Sequence, residues 1–168
     1  MLYRAGQRVL VDTNVIIEAH RTGCWQALSG YFALETVEKV IEETQTGAQN
    51  RSPESVIDET RLRASIRQVA SISDQMRAAF HLTHPASALD PGERDLLIYA
   101  GTVPAAETWL LNSPDMAVIR HAHERGWLDR LVSLESMNGH LKGRLSSVLR
   151  TNYTEQWLSI KRTRLLLG

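Results

Sequence analysis

Val9-Leu10-Val11-Asp12-Thr13-Asn14 is an apolar run that ends in a carboxylate and an amide. Residues 8–11 suit a short buried strand. Asp12 or Thr13 then stands where a helix over Asn14–His20 needs a cap, with Val15, Ile16 and Ala19 on one face. The pattern recurs further on. Thr108–Leu111 reads as a second strand, Asp115–Arg125 as a helix closed by Gly126, and Leu131–Leu134 as a third strand. Between them, Thr36 can cap a helix over Val37–Gln45 whose inward face holds Val37, Val40, Ile41 and Thr44. Gly47 ends that helix, and residues 49–53 read as a loop. A longer helix is expected over roughly Thr60–Phe80, with Leu62, Ile66, Val69, Ile72, Met76 and Phe80 at helical spacing. Its other side carries Arg61, Arg63, Arg67 and Arg77. Pro85–Pro91 is a loop that leads into a helix over Glu93–Gly101. Strands separated by helices imply an α/β fold with a central, mostly parallel sheet flanked by helices.

At 168 residues the chain fits one domain with a substantial core. Hydrophobic residues at 43% and charged residues at 23% are ordinary for a soluble globular protein. No apolar run approaches the roughly 20 residues that span a bilayer, so no membrane partner is expected. The N-terminal stretch lacks the apolar region of a signal peptide, and the single Cys24 excludes an internal disulfide. Both point to a reducing, cytoplasmic setting, with Cys24 as a small buried hydrophobe. The net charge of zero hides an asymmetry. Residues 1–139 carry 13 Lys/Arg and 18 Asp/Glu; residues 140–168 carry six basic residues against Glu155 alone. The division is therefore read as a domain over 1–138 and a basic, helical C-terminal extension over 139–168. Such a tail either contacts phosphates or docks on its own acidic body.

Four acidic motifs lie where this fold can gather them: Asp12-Thr13-Asn14, Val40-Ile41-Glu42-Glu43, Gly92-Glu93-Arg94-Asp95-Leu96-Leu97-Ile98, and Leu111-Asn112-Ser113-Pro114-Asp115. In a parallel sheet, functional residues collect outside the carboxyl ends of the strands. Asp12 follows the first strand and Asp115 lies just past the second. Clustered carboxylates repel one another and hold charge readily only around cations. A cage of three or four suits Mg²⁺ or Mn²⁺, the hard ions of phosphodiester chemistry. Against this, Asp12 and Asp115 can each simply cap a helix, and Glu43 or Asp95 can be a solvated surface acid. The histidines are poorly spaced for zinc: His121 and His123 point to different helix faces, and His81 and His84 lie near a loop. Trp25, Trp109, Trp127 and Trp157 read as core or interface residues.

From about Val9 to Leu134 the chain resembles the PIN-domain ribonucleases, the fold of many toxins in bacterial toxin–antitoxin pairs. The resemblance rests on the order and spacing of the four motifs, each of which alone is weak. It implies that Asp12, Glu43, Asp95 and Asp115 bind Mg²⁺ or Mn²⁺, with Asn14 and Ser113 supporting substrate or ligands. It further implies a metal-dependent endoribonuclease acting on RNA, an antitoxin protein as partner, and a homodimer. In one branch of the family the third motif begins with Gly-Glu, as Gly92-Glu93 does here. Thr44 stands where an apolar residue is usual after the Glu, so Glu42 and Glu38 remain alternatives to Glu43. Arg61, Arg63, Arg67 and the basic tail are candidates for holding the RNA backbone. Two other functions compete. A haloacid-dehalogenase-like phosphatase needs a second acid where Asn14 stands, and no glycine-rich nucleotide-binding motif is present. A catalytically inactive scaffold of the same fold would bind RNA or protein without metal.

Overall fold

The computed structural model describes residues 3–47, 53 and 56–168. Among these, four strands form one sheet: β1 (Arg8–Val11), β2 (Ala33–Val37), β3 (Gln68–Ala70) and β4 (Trp109–Asn112). All pairings are parallel, in the order β3-β2-β1-β4. The helices are α1 (Thr13–Arg21), α2 (Trp25–Tyr31), α3 (Glu38–Gln45), α4 (Glu59–Ser65), α5 (Asp74–Thr83), α6 (Pro91–Thr102), α7 (Met116–Glu124), α8 (Leu134–His140) and α9 (Glu155–Leu167). The expected α/β architecture, a parallel sheet flanked by helices, is what forms.

β1 and β4 are buried because apolar side chains face helices on both sides of the sheet. Leu10 pairs with Leu111 and Val11 with Asn112, so the two strands end level with each other. The chain therefore leaves β1 at Asp12 and β4 at Ser113 on one edge. Leu111 is fully buried, and its carbonyl accepts a 3.0 Å hydrogen bond from Val132 N–H. Leu111→Ala should cost about 3 kcal/mol, seen as a lower denaturant midpoint with an unchanged slope.

Three local expectations are corrected. Thr36 caps nothing. It lies inside β2, and its hydroxyl donates to Val11 O at 2.7 Å, with the helix starting at Glu38. The strand was masked by Glu35, a buried acid neutralised by Arg8 at 2.8 Å and by the Tyr99 hydroxyl at 2.7 Å. The long helix over Thr60–Phe80 is instead α4, the edge strand β3 and α5. Asp58 caps α4 by accepting Arg61 N–H, and Ser73 caps α5 by accepting Met76 N–H. The Ser73 cap interrupts a spacing of three and four that three short elements happen to share. The strand over Leu131–Leu134 shrinks to one bridge between Leu131 and Leu111, because Ser133 accepts Ser136 N–H and starts α8. Residues 49–52 of the expected loop lie outside the described residues.

The tail docks on the body. Leu149, Tyr153 and Leu158 are buried, Arg150 N–H donates to Glu18 Oε1 at 2.9 Å, and Arg162 donates to Leu131 O at 2.8 Å. Arg144 and Arg164 remain exposed. Among the described residues no helix is long and apolar enough to cross a membrane.

Candidate active site

The edge where β1 and β4 end is built from helix starts. Asp12 is the N-cap of α1, its Oδ1 accepting Val15 N–H at 2.9 Å. Asp115 is the N-cap of α7, its Oδ1 accepting Ala117 N–H at 2.6 Å. Ser113 joins the two: its hydroxyl donates to Asp12 Oδ2, and its oxygen accepts Asp115 N–H at 3.3 Å. Capping and clustering are therefore one arrangement here, because the positive ends of helices tolerate the gathered negative charge.

Glu43 arrives from α3. Thr13 Oγ1 donates to its Oε2 at 2.7 Å and Gly92 N–H donates to its Oε1 at 2.9 Å. It thus bonds the neighbours in sequence of Asp12 and of Glu93. Glu42 is exposed and pairs with Lys39, while Glu38 pairs with Arg63, so neither of these alternatives reaches the edge. A Cβ on Gly92 would collide with the Glu43 carboxylate. Gly92→Ala should displace Glu43 and weaken Mn²⁺ binding by roughly tenfold, measurable by calorimetry.

The third motif carries two acids with different surroundings. Asp95 is buried, but its carboxylate is held by Arg77 at 2.7 Å and Arg94 at 2.9 Å. Glu93 lies where it feels the charges of Asp12 and Asp115. Two residues apart on a helix is about 200° of rotation, so Glu93 and Asp95 cannot face the same cleft. Glu93 is 7% exposed, and its Oε2 accepts Asp90 N–H at 3.0 Å. Burial, then the charges of Asp115, Asp12 and Asp90, push its carboxyl up to about 8. Burial likewise pushes Asp12 up to about 6, with Asp115 adding to it against the bonds from Ser113 and Val15. Glu93 therefore feels the charges of Asp12 and Asp115, and Asp12 feels that of Asp115.

The supporting residues sort themselves differently from expectation. Ser113 orients two acids. Asn14 is exposed beside the cluster, and its carbonyl accepts the Tyr153 hydroxyl at 3.3 Å. Tyr153, from the tail, had no signal in the sequence. Burial and then the charges of Asp12 and Glu18 raise its phenol, which keeps its proton. The four arginines expected on one helix face are dispersed. Arg61 is exposed on α4, Arg63 pairs with Glu38 and Glu59, Arg67 lies between α4 and β3, and Arg77 holds Asp95. Cys24 is buried and unpaired with any other cysteine.

Four carboxylates, two of them with raised proton affinity, make a site suited to a hard divalent cation, whose binding would favour their ionised forms. Among the described residues, the group of three with ligand atoms within 4.8 Å of one another is His84, His121 and Glu124, away from this edge. A carboxylate set fits Mg²⁺, which keeps several of its waters. No protein-family model matches this sequence, and no curated protein matches it.

Proposed function

We propose that this chain is a metal-dependent ribonuclease of the PIN type. Asp12, Glu43, Glu93 and Asp115 would hold Mg²⁺ or Mn²⁺. The observation that carries the reading is the pair of helix-capping acids Asp12 and Asp115, bridged by Ser113 at the carboxyl edge of a parallel sheet, with the buried Glu93 feeling the charge of both. When bound, the ion supplies Lewis-acid stabilisation of phosphate charge and a lowered pKa for the attacking water. The residues do the rest. Ser113 fixes Asp12 against Asp115, Thr13 and the Gly92 amide aim Glu43, and the helix starts lower the cost of the crowded charge. Asn14 and the exposed arginines Arg61, Arg67, Arg144 and Arg164 are the proposed contacts to RNA.

The pairing of Asp95 with Arg77 and Arg94 favours a second reading, a scaffold that binds RNA or protein without cutting. One experiment separates the two. The purified chain and Asp12→Asn are incubated with structured and single-stranded RNAs in Mn²⁺, in Mg²⁺ and in EDTA. Cutting that needs metal and Asp12 supports the nuclease. Absence of both cutting and Mn²⁺ binding supports the scaffold. Under the nuclease reading, an antitoxin would act by covering this acidic edge, and the homodimer implied by the resemblance would show in sedimentation equilibrium.

A further inference from the structure

His84 ends α5 and His121 lies on α7, 37 positions later in the chain, yet their rings sit 4.7 Å apart between centroids. Glu124 follows His121 by three residues, which places both on one face of α7. One ligand atom from each of the three lies within 4.8 Å of the others. In a tetrahedral site with bonds near 2.1 Å, ligand atoms stand about 3.4 Å apart, so modest side-chain rotations close the gap. We propose that His84, His121 and Glu124 form a site for a borderline divalent transition-metal ion of the Zn²⁺ class, separate from the acidic edge.

Several features favour ligation over simple packing. The Thr83 hydroxyl can donate to Phe80 O at 3.0 Å while its oxygen accepts from His84 Nδ1 at 2.9 Å. That tautomer leaves His84 Nε2 with its lone pair, the outer-shell arrangement common to metal-bound histidines. The His84 ring is stacked on Phe80 at 4.6 Å, which limits its orientations. His121 is 6% exposed and packs against Trp127 and Phe80, with no hydrogen bond to its ring nitrogens among the described residues. Glu124 is exposed and can swing in. Two imidazoles and one carboxylate suit Zn²⁺, Co²⁺ or Ni²⁺, whereas Mg²⁺ prefers oxygen alone. The three ligands leave a fourth position for water or for a ligand atom. His84 and His121 line a cavity of about 360 Å³ with Phe80, Leu97, Ile98 and Trp127. An ion there would tie α5 to α7. α7 is capped by Asp115, so the staple would brace one wall of the acidic edge.

The test is calorimetric titration of the EDTA-stripped full chain with Zn²⁺ in excess Mg²⁺, which occupies sites that prefer hard ions. A parallel titration with Co²⁺ reads the visible bands of a low-symmetry imidazole site. One equivalent should bind. His84→Ala should weaken binding by at least about 100-fold, Glu124→Gln by about tenfold, and Asp12→Asn should leave it unchanged. Glu124 is exposed, so its variant folds and keeps the test valid if a histidine variant does not. Zn²⁺ binding that survives both His84→Ala and Glu124→Gln, binding lost in Asp12→Asn, or no stoichiometric binding at all would overturn the proposal.

Discussion

Asp12→Asn is expected to lower metal-dependent RNA cleavage by a thousandfold or more while leaving the protein folded. Metal-borne stabilisation of phosphate charge is worth several kcal/mol, and about 4 kcal/mol is roughly a thousandfold in rate. The asparagine oxygen can still accept Val15 N–H and cap α1, so the helix start is kept. Its amide can donate to Ser113, whose hydroxyl then turns. What disappears is the buried negative charge. Because the native state raises Asp12 from 3.8 to about 6, the ionised form costs stability at neutral pH, and Asn removes that cost. The melting temperature at pH 7 should therefore hold or rise as activity falls. Cleavage rates in Mn²⁺ beside circular-dichroism melts check both halves. Equal rates in the two proteins would sink the nuclease reading.

Some of this was written plainly in the sequence. Val9–Val11 and Leu110–Leu111 are apolar runs followed at once by Asp12 and four residues on by Asp115, and a parallel sheet brings those strand ends to one edge. β2 was concealed because Glu35 breaks its apolar run, and only the fold brings Arg8 and Tyr99 to neutralise that charge. β3 has three residues and sits at the sheet edge, too short to show a period of its own. The third motif offered two acids two residues apart, and nothing local says which one turns inward. Only the fold brings Arg77 from a neighbouring helix onto Asp95. The meeting of His84 and His121 was hidden for a related reason: the spacing along the chain says nothing about α5 and α7 lying side by side.

Glu93→Gln and Asp95→Asn should have opposite consequences, although the residues are two apart. Glu93 is raised from 4.5 to about 8, so between those values the folded state holds a proton that the unfolded chain has lost. Stability of the metal-free protein is then fully present below about pH 4.5 as far as this group is concerned. It falls as the pH rises toward 8, by a few kcal/mol at most. Asp12 adds the same sign over the lower part of that range. Glu93→Gln should flatten the decline, raise the melting temperature at pH 8, and weaken both Mn²⁺ binding and cleavage by about 100-fold. Bound metal should do for the natural protein what the mutation does, raising its melting temperature more at pH 8 than at pH 6. Asp95→Asn should instead cost about 2 kcal/mol, because it strips the charge partner of Arg77 and Arg94 from a buried position. Both arginines are about a third exposed and can turn to water, which keeps the loss below that of a fully buried pair. Its Mn²⁺ affinity should stay within a few-fold of normal. Melts from pH 5 to 9 with and without Mn²⁺, on both variants, decide the matter: if Asp95→Asn loses the metal and Glu93→Gln keeps it, the assignment of the inward acid is reversed.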